Sequence, residues 1–192
     1  GTTGFPKGVR RAPASPDLQH AMMERLKIGF GIRTGAKAIM TGPLYHSAPN
    51  AYARAIMALE GDLILMPRFD ASDFLNQVEK YSITHAHMVP TMFVRLLDLP
   101  KTRRHNANLE SLESIVHGAA PCPPDVKHRM IDWFGPIINE YYGSTEAGLI
   151  TYVTSPEWIQ KEGTVGRPLP ETLVRIYGEH NQLVNHGEIG DI

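Results

Sequence analysis

Three short stretches of the sequence concentrate residue types able to hold a phosphorylated, flat-ringed ligand. The chain opens Gly1-Thr2-Thr3-Gly4-Phe5-Pro6-Lys7-Gly8. Glycines there allow positive φ and close backbone approach, while Thr2, Thr3 and Lys7 can donate to phosphate oxygens. It is not a Walker A loop, which needs Gly directly before Lys and Ser or Thr directly after; here Pro6 precedes Lys7 and Gly8 follows it. Taken alone, the same composition also suits a mobile turn.

The second stretch, Gly118-Ala119-Ala120-Pro121, lies between an apolar run and a proline-opened helix. In a parallel sheet that is a strand's carboxyl end, where open sheets bind ligands. Side chains this small let a flat ring lie against the backbone, and they equally suit a tight packing turn. The third stretch, Tyr141-Tyr142-Gly143-Ser144-Thr145-Glu146-Ala147-Gly148, gathers aromatic faces, hydroxyls and a carboxylate. Together these can stack a base, bond a phosphate and bind a hard cation such as magnesium, which favours oxygen ligands. A lone loop glutamate, by itself, is more often solvated than metal-bound.

Other reactive residue types give no rival centre. Gly143-Ser144-Thr145 is not a Gly-x-Ser-x-Gly nucleophile elbow, and no other stretch supplies one. Cys122 is the single cysteine and reads as a packing residue. His85 and His87 alternate along a predicted strand without a third ligand at metal spacing, so they read as structural. The cluster from Lys101 to His105 reads as a solvated loop.

Elements that can position these loops follow from the hydrophobic pattern. Apolar β-rich runs at 36–41, 62–66, 84–89, 114–116 and 137–141 alternate with helical spacing, the signature of βαβ units around a parallel sheet. Phe74, Leu75, Val78 and Tyr81 recur at helical intervals over 70–81, with Asp70 placed to cap. Met92, Phe93, Leu96 and Leu97 make a second stripe; Val126, Met130, Ile131 and Phe134 make a third, opened by Pro123 and Pro124. After Tyr142 the alternation stops, and glycine- and proline-punctuated runs such as 172–177 read as hairpins. The fold class expected is α/β, a mainly parallel sheet flanked by helices with a β-rich C-terminal stretch.

Composition narrows the function classes. With 192 residues, 42% hydrophobic and 20% charged, the chain can bury a core without disulfides. No apolar run reaches the roughly 18 residues of a membrane span, and a cytoplasmic location is expected. Net charge is −1, yet residues 1–104 carry 14 Lys/Arg against 8 Asp/Glu and residues 105–192 carry 5 against 12. Solvated helix faces explain that asymmetry, and a phosphate-rich ligand on the N-terminal side is the sharper reading. Nucleic acid is a poor candidate, because no zinc-knuckle, helix-turn-helix or aromatic stacking motif accompanies the charge.

In this order and at these separations, the loops resemble the adenylate-forming (AMP-binding) superfamily, which includes acyl-CoA synthetases, luciferases and peptide-synthetase adenylation domains. Residues 1–9 are similar to its glycine-rich phosphate loop, Pro43-Leu44-Tyr45-His46-Ser47 to its Pro-Leu-Phe-His segment, and Gly118 to Pro121 to its adenine-side loop. Tyr142-Gly143-Ser144-Thr145-Glu146 resembles its Tyr-Gly-x-Thr-Glu signature. Val165-Gly166-Arg167-Pro168 and Gly187-Glu188-Ile189-Gly190 are similar to its Val-Gly-x-Pro and Gly-Glu-x-Gly stretches. The acyl-CoA synthetase type is the nearest resemblance.

That resemblance implies ATP-dependent activation of a carboxylic acid, with an acyl-adenylate and pyrophosphate formed first and CoA as co-substrate. Thr2, Thr3, Gly4 and Lys7 would hold the outer phosphates. Tyr141, Tyr142 and Gly143 would border the nucleotide, Tyr142 stacking on adenine against Gly118, Ala119 and Ala120. Thr145 would bond the α-phosphate, Glu146 would bind Mg2+, and His46 would stand beside the carboxylate. The expected acid is apolar and fairly large, fatty or ring-bearing, and a homodimer is compatible with the family. The chain is expected to be an internal piece of the large domain, the N-terminal part and the small C-terminal domain being absent.

Two other readings stand beside this one. An amino-acid adenylation domain needs a carboxylate for the substrate ammonium, and residues 47–59 contain no Asp or Glu. A non-catalytic nucleotide-binding fragment is the other.

Overall fold

The computed structural model describes Arg10 and residues 13–192, and helices line both faces of the sheet. In chain order the elements are α1 (Pro16–Phe30), β1 (Lys37–Met40), α2 (Ser47–Ala58), β2 (Asp62–Leu65), α3 (Ala71–Tyr81), β3 (His85–Met88), α4 (Pro90–Leu97), α5 (Lys101–His105), β4 (Ser114–His117), α6 (Pro124–Phe134), β5 (Ile138–Ser144), β6 (Gly148–Val153), α7 (Ser155–Gln160) and β7 (Arg167–Pro168). The sheet runs β2-β1-β3-β4-β5-β6-β7. The pairings from β2 to β5 are parallel, whereas β5·β6 and β6·β7 are antiparallel.

The central strands are short and buried on both sides, as parallel strands covered by helices must be. Alternation sends Ile39, Ala86, Ile115 and Ile138 into one core with α3, α4 and α6. Ala38, Met40, Val116 and Tyr141 enter the other, with Phe30 of α1 and Tyr52 and Ile56 of α2. Caps fix where the helices begin. Asp70 accepts from the Asp73 amide at 2.8 Å and starts α3, and Ser15 accepts from the Leu18 amide at 3.3 Å and starts α1. Prolines open α1, α4 and α6 within their first turns, where a missing N–H leaves no bond unmade.

Three local expectations change. β5 does not stop at Tyr141 but continues to Ser144, because Tyr142–Ser144 pair with β6. The 172–177 run forms no continuous strand; Tyr177 makes isolated antiparallel bridges to Leu183 and Asp191, a minimal hairpin. Lys101–His105 is a helix rather than a loop, solvated as expected with no buried residue; Arg103 donates to the Ser72 carbonyl at 3.1 Å and to Asn76, and Arg104 lies over the Trp133 ring.

Candidate functional site

Residues 43–47, 118–121 and 145–147 follow the carboxyl ends of β1, β4 and β5, on one side of the parallel sheet. After β1 the chain turns at Pro43, whose carbonyl accepts from the His46 amide at 3.2 Å. His46 is the N-cap of α2 and exposed, and the ring of Tyr45, 85% exposed, lies 4.6 Å from it, centroid to centroid. The next residue, Ser47, places its Oγ 3.1 Å from the Oγ1 of Thr145. In the sheet, β3 and β4 separate β1 from β5, so this contact spans two intervening strands.

The β5–β6 hairpin presents Thr145 and Glu146 at its tip, both exposed. A register shift between Tyr142 and Gly143 brings Gly143 against the Gly148 carbonyl, a distance that leaves no room for a β-carbon. Ser144 Oγ accepts from the Ala147 amide at 3.0 Å and closes the turn. Tyr142 is 37% exposed, whereas its neighbour Tyr141 is 4% exposed. The pleat explains the difference: successive side chains on a strand point to opposite faces.

Tyr141, expected to border the nucleotide, therefore faces the α1–α2 core. Its hydroxyl is 3.0 Å from His87 Nε2, and its ring packs edge-on against Phe30 at 5.4 Å. Burial pushes the Tyr141 phenol up and the His87 imidazole down to about 4, so His87 is neutral at pH 7, a core histidine as its strand position implied. Gly118 packs directly on the Tyr141 ring. Ala119 has φ +68°, uncommon for a side-chain-bearing residue, and with Ala120 it is exposed beside the hairpin strand.

The structure thus brings His46, Gly118, Ala119, Ala120, Tyr142, Gly143, Thr145 and Glu146 to one sheet edge, and turns Tyr141 away from it. Thr2, Thr3, Gly4 and Lys7 lie outside the described residues. No group of three or more metal-ligating side chains occurs among the described residues. Glu146 is the one carboxylate of its turn, preceded in sequence by the hydroxyls of Ser144 and Thr145, and Thr145 meets Ser47. That set fits a magnesium ion held by one carboxylate with phosphates and water, and does not fit an all-protein cage. Cavities of about 400 and 260 Å³ lie elsewhere, between α1 and residues 167–171, lined by Ile28, Tyr152, Leu169 and Pro170 among others.

One feature beneath the site escaped the sequence reading. Lys127 of α6 is fully buried and places Nζ 2.7 Å from Glu140 Oε2 and 4.6 Å from the Trp158 ring centroid. His117 Nε2 is 3.5 Å from the same oxygen. Lys127, Met130, Ile131 and Phe134 follow i, i+3, i+4, i+7 spacing, so a lysine on an apolar helix stripe was the available signal.

The chain belongs to the AMP-binding enzyme family, whose match runs over residues 1–192. It is 33% identical over its full length to a medium/long-chain-fatty-acid–CoA ligase of Mycobacterium tuberculosis, covering 33% of that protein. It is 30% identical, again over its full length, to a feruloyl-CoA synthase of Amycolatopsis, covering 38% of it. Among solved structures it resembles an amide bond synthetase from Marinactinospora thermotolerans, with a TM-score of 0.82 and 25% identity over 89% of this chain and 35% of that one. An o-succinylbenzoate CoA synthetase of Bacillus subtilis in complex with an acyl-adenylate shares the fold, with a TM-score of 0.80 and 24% identity over 99% of this chain and 37% of that one. The chain spans about a third of the length of the curated relatives it matches. No described helix is long and apolar enough to cross a membrane.

Proposed function

We propose that the protein containing this chain activates a carboxylic acid with ATP and transfers the acyl group to CoA. One observation carries the reading: Ser47 Oγ and Thr145 Oγ1 meet at 3.1 Å although their strands are not neighbours. The segment beside His46 and the signature hairpin thus border one reaction space, with the Gly118 loop on the strand between. A substrate carboxylate oxygen attacks the α-phosphorus of ATP, the bond to the β-phosphate breaks, and pyrophosphate leaves. The CoA thiol then attacks the acyl carbon and AMP is released.

In this reading Tyr142 stacks on adenine, with Gly118, Ala119 and Ala120 on its other side. Gly143 lets the backbone approach closely. Thr145 donates to the α-phosphate as charge builds there, and His46 orients the acid. Thr2, Thr3, Gly4 and Lys7 hold the β- and γ-phosphates. Glu146 would hold Mg2+, which supplies charge neutralisation on the phosphates. Tyr141 supports the Gly118 loop from beneath. A cytoplasmic location, where ATP and CoA are supplied together, belongs to the same reading.

The acid is apolar, fatty or ring-bearing. α2 has no acidic residue, so the helix beside the reaction space offers no partner to a substrate ammonium. Relatives named for fatty-acid and feruloyl substrates support the same class. The test is pyrophosphate release by the full-length protein with a panel of acids, magnesium and CoA. Thioester formation with apolar acids is expected; pyrophosphate release with amino acids alone would replace this reading.

A further inference from the structure

A fully buried lysine needs a reason to be there. Lys127 loses side-chain freedom and hydration on burial, and an apolar residue of similar volume would commonly serve stability as well. What the lysine adds is direction, because its ammonium meets the Glu140 carboxylate at one fixed point.

The partners of that point lie on the strands that enter the candidate site. His117 and Glu140 face each other across the β4·β5 ladder. One residue further along each strand come Gly118 and Tyr141, which touch. Tyr142 follows Glu140 by two residues and so shares its face of the sheet. α6 contributes the ammonium, and Trp158 of α7 covers it at 4.6 Å. Among the described residues both ring nitrogens of His117 are buried without a hydrogen-bond partner, and its Nε2 is 3.5 Å from Glu140 Oε2, so a slightly closer approach of β4 to β5 would complete a bond. Burial, then the Lys127 charge and His87, hold the His117 pKa well below its ordinary value, leaving it neutral. Burial also lowers the Lys127 pKa, opposed by the Glu140 hydrogen bond, which favours the ammonium.

We propose that Lys127 is a positioning residue: acting through Glu140 and His117, it sets the spacing between the Gly118 loop and Tyr142, and with it the fit of the adenine ring. The inference rests on the nucleotide reading of that gap. Lys127 touches no substrate in this scheme, so its effect falls on nucleotide affinity and spares the chemical step.

The test uses the full-length enzyme with Lys127→Met, Glu140→Gln, the double variant Lys127→Met/Glu140→Leu, and His117→Phe. Three quantities are measured: thermal midpoint, ATP affinity by calorimetry, and KM and kcat for ATP and acid. Lys127→Met should weaken ATP binding about tenfold or more, which is about 1.4 kcal/mol or more of binding free energy, with kcat and the acid KM little changed. Glu140→Gln, which keeps an oxygen facing Lys127, should fall between it and the parent. The double variant removes both charges, so it should recover thermal stability while ATP affinity stays low. Wild-type ATP affinity in the double variant would overturn the proposal, and so would single variants that lose stability with ATP affinity intact. If the charge variants do not fold, His117→Phe decides: the His117 ring lies edge-on to Phe93 at 5.1 Å, so a phenyl ring keeps that packing and leaves the Lys127–Glu140 ion pair whole. It should weaken ATP binding at near-normal stability, and unchanged affinity would overturn the proposal. A parent enzyme that neither binds ATP nor releases pyrophosphate would sink the functional reading instead, and is distinguishable from these outcomes.

Discussion

A β-carbon placed on Gly118 would stand 2.6 Å from Cζ of Tyr141 and 2.8 Å from both of its Cε atoms. The ring cannot retreat: Phe30 lies edge-on to it at 5.4 Å and His87 Nε2 holds its hydroxyl at 3.0 Å. A flat ring does lie against the small-residue loop, and on its inner side that ring belongs to the protein. Gly118→Ala should therefore destabilise the fold by about 1–3 kcal/mol, the range for overpacking a close-packed site. Thermal denaturation checks it, and Tyr141→Leu in the same chain should recover much of the loss by making room. Equal midpoints for Gly118→Ala and the parent would show that the loop moves freely.

His87 makes acid stability a second test. Its folded pKa is about 4 because of burial, against about 6.5 for an exposed imidazole in the unfolded chain. Between those values the unfolded state binds the extra proton, so stability rises with pH there and is lost as pH falls. From pH 7 to pH 5 this one group removes about 2 kcal/mol. His87→Gln should lower stability at pH 7, since it breaks the contact with Tyr141, yet flatten the decline between pH 7 and 5. Parallel pH curves for variant and parent would exclude His87 as the source.

Much of the fold was legible because helices and parallel strands announce themselves by period. The five apolar runs correspond to β1 to β5, and Asp70 caps α3 as its position implied. α1 was not read, although Met23, Leu26 and Phe30 recur at i, i+3, i+7 and pack on the second core; its capping Ser15 and its polar residues between them left the stripe thin. The stretches proposed as the site were legible as motifs. Tyr141 and Tyr142 were both expected to border the nucleotide, Tyr142 by stacking, and the pleat turns Tyr141 into the core. Lys127 breaks the rule that sends charge outward: its place on the apolar stripe of α6 was the signal, but its partner Glu140 lies on another element.

At the hairpin tip, Glu146→Gln keeps size and hydrogen-bonding shape while removing the charge. Pyrophosphate release by the full-length enzyme should fall about a hundredfold or more, in line with loss of one strong electrostatic stabiliser. Pyrophosphate exchange at the parent's rate would take Glu146 out of the mechanism.

In the proposed reading Thr2 and Thr3 share the outer phosphates with Lys7, so Lys7 should behave differently. Lys7→Ala is expected to raise the KM for ATP more than it lowers kcat. The reverse pattern would put Lys7 at the reacting centre.

The alanines of α2 divide the question of substrate size. Ala53 and Ala55 are buried against the sheet and serve close helix packing. Ala51 is half-buried at the edge of the same core, one turn beyond Ser47, which touches Thr145. If the acid lies along this face of α2, a bulky group at 51 meets its distal end and leaves its carboxylate alone. Ala51→Trp should then abolish thioester formation with long-chain or ring-bearing acids while sparing short ones, read from a chain-length panel on the full-length enzyme. Equal loss for every acid would assign Ala51 to the core. Activity of the parent confined to acetate or propionate would remove the reason for any small residue there, because such acids end before they reach the second turn of the helix.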